Sequence, residues 1–249
     1  MRVILAEKPS VAQSIAAVLG ANQKRNGYLQ GENDIVSWCI GHLIELAPPK
    51  IYDARYAKWR REDLPIVPSA WESVVSDGTK KQFAVLKDLL NRTDVDEVVC
   101  ATDAGREGEL IFRMVYEKTG CTKPVKRLWI SSLEESAIRE GFRSLKPGTA
   151  YDALYRAALC RAQADWLVGI NGTRLYSRLY GTKLNVGRVM TPTLAMVVQR
   201  EKEIAVFHVE RFYTVQLRLS GTERADENAR RSGTDSSRLP LPKGCGKAH

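Results

Sequence analysis

The sequence predicts an α/β fold, in which a β-sheet flanked by helices is followed by a mainly α-helical segment. Short runs rich in β-branched residues, at 2–6 and 97–101, each precede a helical pattern, so strands and helices alternate. Apolar and small residues beyond residue 149 recur with helical periodicity instead. We expect an α/β domain over 1–148, a helical segment over 149–220, and a disordered or unrelated tail over 221–249, which has few large apolar residues.

Composition limits the class of protein. The 249 residues are 44% hydrophobic and carry a formal net charge of +9, so a polyanionic partner and a merely solvated basic surface both fit. The N-terminal sequence does not resemble a signal peptide, and no run approaches the ~20 apolar residues of a membrane span. The five cysteines are widely spaced, without a C-x-x-C pair. We expect a cytoplasmic protein with reduced thiols and no membrane partner.

The first strand–helix unit begins with a buried strand over Arg2–Ala6. Glu7 follows the strand, and a helical pattern then runs to Gly20, a natural C-terminal stop. Ser10 and Gln13 have the spacing of a capping box for this helix.

The second unit repeats this order. A strand over Glu97–Ala101 is followed by Asp103, and a helix from about Arg106 runs to Lys118 before Gly120. Two acids are therefore predicted at the carboxyl ends of two strands.

The intervening and following segments complete the α/β pattern. They are predicted as a strand–turn segment at 35–46, an extended loop over Ala47–Trp71, a helix over Gln82–Asn91, a strand ending at Ile130, and a helix capped by Ser132 and Glu135. The helical segment is predicted as a long helix from Tyr151 through Tyr180, a break at 181–188, a helix opening at Thr191-Pro192, and a short strand at 212–219.

Three acids are candidate metal ligands. Glu7 and Asp103 would lie at neighbouring strand ends, where ligands bind in open α/β folds, and Glu107 would lie on the first turn of the next helix. Converging carboxylates need a cation, and hard oxygen ligands suit Mg²⁺. Spacing alone equally allows each acid to cap a helix or face solvent separately.

Two motifs carry a resemblance to a known family. A-E-K-P-S at 6–10 and T-D-A-G-R-E-G-E at 102–109 resemble the Toprim signature of bacterial topoisomerase III, a type IA DNA topoisomerase. Glu7 matches the lone glutamate, and Asp103 and Glu107 match the outer acids of D-x-D-x-E. Gly105 replaces the middle aspartate, which leaves Asp103 and Glu107 as the expected ligands of that motif. The resemblance implies a Toprim (Rossmann-like) sheet.

Further strings resemble the same family in the same order, so the resemblance covers about residues 1–219. They are G-H-L-I-E-L at 41–46, R-L-W-I-S-S-L at 127–133, A-D-W-L-V-G-I-N at 164–171 and G-R-V-M-T-P-T-L at 187–194. The helical motifs look specific to topoisomerases, which weighs against a Toprim nuclease or primase.

The resemblance implies cleavage, passage and resealing of single DNA strands with Mg²⁺ and without ATP. Glu7 would transfer a proton at the leaving 3′ oxygen, and Lys8 would neutralise the phosphate. An exposed first-turn lysine is the alternative interpretation of Lys8.

The resemblance also implies a path for single-stranded DNA along the helical segment. Arg161 and Asp165, four residues apart, would share a helix face, with the carboxylate orienting the arginine toward phosphate. An ordinary surface ion pair is equally consistent with that spacing. Arg188 matches a position that faces DNA in the family, although Met190 replaces a usual glutamine.

Three further side chains are weaker candidates. Trp166 and Tyr176 are candidates to stack on bases, but aromatics at helical spacing are more often part of a core. His42 lies in a family segment close to the active site, but a histidine after a strand is more often structural.

No tyrosine in the sequence lies in the T-x-Y-P-R-T-x-S type of context that holds the family's nucleophile. We therefore expect a C-terminally truncated topoisomerase that does not relax DNA alone. The alternative is a non-catalytic remnant that binds DNA and Mg²⁺.

Overall fold

The computed structural model describes residues 1–209. The strands of this part of the chain are β1 Arg2–Ala6, β2 Gln23–Arg25, β3 Tyr28–Gln30, β4 Asp34–Trp38, β5 Ile44–Leu46, β6 Ser73–Val75, β7 Glu97–Ala101, β8 Val125–Arg127 and β9 Lys146–Pro147. Its α-helices are α1 Pro9–Leu19, α2 Pro49–Tyr52, α3 Lys80–Leu90, α4 Arg106–Thr119, α5 Glu135–Arg143, α6 Asp152–Tyr180 and α7 Met190–Ala205.

The main sheet has the strand order β2-β3-β4-β1-β7-β8-β9, with β5 and β6 paired separately. β1 runs parallel to β4 and β7, and β7 runs parallel to β8, whereas β2, β3 and β9 pair antiparallel with their neighbours. Ala6 is in register with Ala101. The residues that follow β1 and β7 therefore lie at the same edge of the sheet, and the predicted mixed α/β fold is confirmed.

Both faces of the central strands are covered. Val3 and Leu5 of β1 pack into an apolar cluster with α3 and α4, while Ile4 and Ala6 pack on the other face with α1 and α5. A strand that is buried on both faces has apolar residues at consecutive positions. The sequences of β1 and β7 show such runs, and this is why both strands are recognisable in the sequence.

The ends of the helices partly follow the predictions. Gly20 and Gly120 adopt left-handed φ angles of 73° and 71° and end α1 and α4 as expected. Both predicted capping boxes are wrong. Pro9 opens α1, so Ser10 lies inside the helix, and the N-cap of α5 is Glu134 rather than Ser132, without a side-chain cap at either helix.

Two other predicted elements need correction. The strand predicted to end at Ile130 stops at Arg127, because only Val125–Arg127 pairs with β7. The segment from Ala47 to Trp71 is mostly irregular, as predicted, but it also contains α2 and a 3₁₀ turn at Ala54–Ala57.

The helical segment agrees closely with the sequence pattern. α6 is a 29-residue helix that ends at the left-handed Gly181, and α7 begins one residue before the predicted Thr191. Residues Met1–Lys202 form one compact unit. Among the described helices, none is long and apolar enough to cross a membrane. The predicted strand at 212–219 and the tail at 221–249 lie outside the described residues.

Candidate active site

Glu7 and Asp103 meet at the carboxyl edge of the sheet, as predicted. The Asp103 backbone N–H donates a hydrogen bond to Glu7 Oε2 at 3.3 Å. Lys8 Nζ lies 3.5 Å from Asp103 Oδ2, so both residues of the A-E-K motif reach Asp103. All three side chains remain at least partly accessible to solvent. The strand order therefore joins two motifs that are almost a hundred residues apart in the sequence.

The start of α4 is packed against the backbone of Asp103. A Cβ placed on Gly108 would lie 2.2 Å from the Asp103 carbonyl oxygen, so only glycine fits without a shift. The Thr102 hydroxyl donates to the Gly108 carbonyl at 2.7 Å and fixes the same contact. Gly105 differs, because its backbone is extended (φ −179°) and a Cβ placed on it would meet no atom within 4 Å. Position 105 therefore has room for the Cβ of a side chain.

A buried ion network lies beneath this edge. The Arg127 guanidinium, with 0% of its side chain exposed, donates to the carbonyl oxygens of Cys100 (3.1 Å), Thr102 (2.7 Å) and Asp103 (2.7 Å). Its Nε lies 3.1 Å from Glu109 Oε2, an ion pair that falls outside hydrogen-bonding geometry. Arg127 therefore holds the backbone that presents Asp103.

Glu109 is shared between two arginines. Its side chain is 1% exposed, and Arg113 Nε donates to Glu109 Oε1 at 2.9 Å. Arg113 also bonds Asp152 at 2.7 Å, which ties α4 to the start of α6. Cys100 lies in the same layer, where burial raises the pKa of its thiol to about 11.

His42 belongs to the site. Its Nε2 lies 2.7 Å from Glu107 Oε1, so the weak candidate of the β4–β5 connection contacts a predicted metal ligand. Gly41, with a φ of 65°, turns the chain immediately before His42. The pair is exposed, with 66% of the Glu107 side chain accessible to solvent.

A groove of about 400 Å³ extends from the His42–Glu107 pair to α6, where Arg161 and Asp165 line it. Asp165 lies between two arginines, with Arg188 Nη1 at 2.9 Å from Oδ1 and Arg161 Nε at 3.8 Å from Oδ2. The structure thus brings all three predicted DNA-binding residues of the helical segment together. The pairing of Arg188 with Asp165 was not predicted, because a separation of 23 residues carries no periodic signal.

The two aromatic candidates differ. Trp166 packs edge-to-face against Tyr52 and Trp71 and donates its indole N–H to the Ala47 carbonyl at 3.0 Å, so it is a packing residue. Tyr176 is exposed on α6 and stacks on Tyr180, with ring centroids 6.4 Å apart.

The predicted Mg²⁺ ligands have suitable chemistry but are not gathered around one point. Within residues 1–209, no group of three Asp, Glu, His or Cys side chains has the geometry to hold a metal ion. Glu107 is turned toward His42, while the Glu7 carboxylate accepts a hydrogen bond from the backbone N–H of Asp103. Since Mg²⁺ commonly uses one or two carboxylates and several waters, Glu7 and Asp103 fit it as a pair, and Glu107 would join after leaving His42.

Sequence reasoning did not assign roles to Gly108, Glu109 and Arg127. The last acid of T-D-A-G-R-E-G-E resembles an exposed helix residue, but it falls on the buried face of α4. Arg127 stands at the end of a strand whose pattern identifies no partner. One signal for this pair was present in the sequence. Arg127 and Glu109 both fall in elements predicted to pack into the α/β core, and charges buried in a core are paired.

Comparison with known proteins identifies both parts of the chain. The Toprim domain family matches residues 2–133, and a family described as DNA topoisomerase matches residues 149–239. DNA topoisomerase 3 of Bacillus anthracis is 50% identical over 218 residues, which are 88% of this chain and 30% of that protein. DNA topoisomerase 3 of Shouchella clausii is 52% identical over 216 residues, which are 87% of this chain and 30% of that protein.

A solved structure gives the same result. The full-length topoisomerase I of Thermotoga maritima matches with a TM-score of 0.58 and 26% identity, covering 83% of this chain and 31% of that one. The chain therefore spans about a third of the length of these relatives.

Proposed function

We propose that this chain, a member of the Toprim domain family with a DNA topoisomerase family match beyond that domain, supplies the acidic half of a type IA topoisomerase site that cleaves and reseals single DNA strands. The observation that carries the proposal is the joining of Glu7, Lys8 and Asp103 at one edge of the sheet. A groove runs from Glu107, which follows Asp103 on the first turn of α4, to Arg161 of α6, so a strand bound in the groove would lie beside the acids.

Each residue has a role suited to its chemistry. Lys8 offers a compact charge to the phosphate, and Glu7 moves a proton to or from the 3′ oxygen. Arg161 and Arg188 bind backbone phosphates of the strand, and Asp165 between them fixes their directions.

Glu7, Asp103 and Glu107 are the residues that would hold Mg²⁺. When bound, the ion would neutralise charge at the phosphate and hold the cleaved ends in place for resealing. His42, whose Nε2 lies 2.7 Å from Glu107 Oε1, would orient that carboxylate. Cleavage and resealing exchange one phosphodiester for another, so no ATP is required.

The attacking tyrosine is proposed to come from another part of the full enzyme. No tyrosine among residues 1–209 lines the groove. The topoisomerases 3 of Bacillus anthracis and Shouchella clausii are each more than three times as long as the segment that matches this chain.

A chimaera tests this function directly. Residues 1–218 of this chain replace the matching segment of the Bacillus anthracis relative, and relaxation of negatively supercoiled plasmid is measured with Mg²⁺ and without ATP. We expect relaxation by the chimaera, and a loss of at least a hundredfold in the chimaeras carrying Asp103→Asn or Lys8→Ala, since charge stabilisation of this kind contributes about 10²–10³ in rate.

Three outcomes would contradict the proposal. An Asp103→Asn chimaera as active as its parent would remove Asp103 from the site. Relaxation by the 249-residue chain alone would show that its nucleophile lies within these 249 residues. Binding of DNA and Mg²⁺ by an inactive chimaera would favour the non-catalytic remnant instead.

A further inference from the structure

A segment between α2 and β6 with more basic than acidic residues is hydrogen-bonded to α6. We name residues 54–66 the basic strap. Arg174 Nη2 donates to the Tyr56 carbonyl at 2.8 Å near one end of the strap. At the other end, Asn171 both accepts from Ile66 N–H (2.6 Å) and donates to the Ile66 carbonyl (2.9 Å). The strap is thus held at two points on the same helix.

The middle of the strap carries three cations without partners. Lys58, Arg60 and Arg61 are exposed, and their side chains form no hydrogen bond or ion pair with any of residues 1–209. The cations of the site differ, since Lys8 and Arg188 each contact a carboxylate. Three neighbouring unpaired cations repel one another, and a polyanion bound there relieves that repulsion.

An aromatic ring stands among these cations. Trp59 is 37% exposed, and the guanidinium carbon of Arg174 lies 5.5 Å from its ring centroid. Arg174 itself is only 6% exposed, and its Nη1 has no hydrogen-bond partner within residues 1–209. Arg174 therefore supports Trp59 from inside the protein, while more than a third of Trp59, which lies between Lys58 and Arg60 in the sequence, stays exposed.

We propose that the basic strap is a second contact for single-stranded DNA, in which Trp59 stacks on a base and Lys58, Arg60 and Arg61 bind the flanking phosphates. Alternation of a ring with free cations is the arrangement by which proteins hold single strands. The proposal rests on the proposed function, because it extends the strand bound at Arg161 and Arg188.

The two contacts lie on different faces of α6. Arg161 and the strap anchor Arg174 lie 13 residues apart, which corresponds to about 20 Å along the helix axis and about 140° around it. A strand that reaches both contacts must therefore pass around α6 as well as along it, and this requires a longer oligonucleotide such as a 16-mer.

Fluorescence anisotropy with labelled dT16 measures how much Lys58, Arg60 and Arg61 contribute to DNA affinity. The triple variant Lys58→Gln, Arg60→Gln, Arg61→Gln of the full chain is expected to bind about tenfold more weakly, with a log–log salt slope shallower by about 2, since three phosphate contacts are lost at roughly 0.7 each. The control variant Lys24→Gln, Arg25→Gln, Lys81→Gln removes the same charge from exposed positions elsewhere and is expected to change affinity less than twofold.

The ring is tested separately. Trp59→Ala is expected to weaken dT16 binding about tenfold, and Trp59→Phe to stay within about threefold of the wild type, because any aromatic face stacks on a base. Thermal unfolding midpoints of all variants are compared. Because Lys58, Arg60 and Arg61 are exposed, the triple variant is expected to fold like the wild type. It therefore tests the proposal even if Trp59→Ala is destabilised.

The outcomes separate the two proposals. If Arg188→Ala weakens dT16 binding but the strap triple variant binds like the wild type, the strap proposal is wrong and the proposed function stands. Absence of dT16 binding by the wild-type chain contradicts both. A strap effect on rU16 but not on dT16 also overturns the assignment to DNA.

Discussion

The candidate site consists of two layers with opposite properties. The lower layer, Glu109, Arg113 and Arg127, is buried and joined by ion pairs and by hydrogen bonds to backbone carbonyls. The upper layer contains the acids that are expected to do the chemistry, and it is exposed and held by single contacts. The lower layer fixes where the backbone of Asp103 stands, whereas the upper side chains remain free to turn toward a ligand.

This division predicts that stability and activity respond to different substitutions. Changes in the lower layer should unfold the domain, because a buried charge left alone is costly. Changes in the upper layer should leave folding nearly intact, because exposed ion pairs contribute little. Substitutions in the two layers test this division, and their expected effects on stability range from several kcal/mol to less than 1 kcal/mol.

Arg127→Met is expected to have the largest effect. The substitution removes hydrogen bonds to the carbonyls of Thr102 and Asp103 and one partner of buried Glu109, so the free energy of unfolding should fall by about 3–5 kcal/mol. Urea unfolding measures the change. Arg139→Met, an exposed arginine paired with Glu135, is the control and should change it by less than about 0.5 kcal/mol. Equal effects of the two substitutions would refute the division.

The two glycines of the D-A-G-R-E-G segment form a matched pair. Gly108→Ala places a methyl group against the Asp103 carbonyl and should destabilise by about 1–3 kcal/mol, as overpacking does. The Cβ of Gly105→Asp meets no atom within 4 Å, so this variant should stay within about 0.5 kcal/mol of the wild type. Calorimetric titration should show tighter Mg²⁺ binding by Gly105→Asp, because it adds a carboxylate. Tolerance of Gly108→Ala would show that α4 can move away from Asp103.

Cys100 reports on the lower layer through pH. Burial raises the pKa of its thiol from 9.0 to about 11, so the stabilisation is complete below pH 9 and is lost as the pH rises toward 11. Under reducing conditions, wild-type protein should lose about 1 kcal/mol more stability between pH 8 and pH 10 than Cys100→Ala, which has no thiol to ionise. If the free energies of unfolding of the wild type and Cys100→Ala change with pH in parallel, the Cys100 thiol is hydrated in the folded protein.

Glu107→Gln should have the smallest effect on stability and a clear effect on binding. It alters only the exposed contact with His42, so the free energy of unfolding should change by less than about 1 kcal/mol while Mg²⁺ affinity falls. Glu140→Gln, an exposed acid near Arg143, provides the control and should alter neither quantity appreciably. Unchanged Mg²⁺ affinity in Glu107→Gln would remove Glu107 from the proposed ligands.

The upper layer was more predictable from the sequence than the lower layer. Apolar runs identify β1 and β7, and an acid follows each run within two residues, so the approach of Glu7 and Asp103 follows once the strands are neighbours. The helical periodicity that extends over α6 likewise predicted a shared face for Arg161 and Asp165.

The lower layer depends on contacts between distant segments. Arg127 reaches Glu109 only because β8 lies beside β7, and no local pattern gives that strand order. The capping boxes failed for a related reason. The sequence Lys8-Pro9-Ser10 allows two helix starts, and Pro9 at the first helical position determines which one forms.

The open space at Gly105 also has an evolutionary consequence. Glycine and aspartate codons are interconverted by a single base change, and a Cβ at this position meets no atom of the fold within 4 Å. A lineage can therefore gain or lose an acid here without disturbing the packing of α4, and selection then acts on metal binding. Gly108, three residues later, has no such freedom, so related sequences should vary at the first position and be nearly invariant at the second.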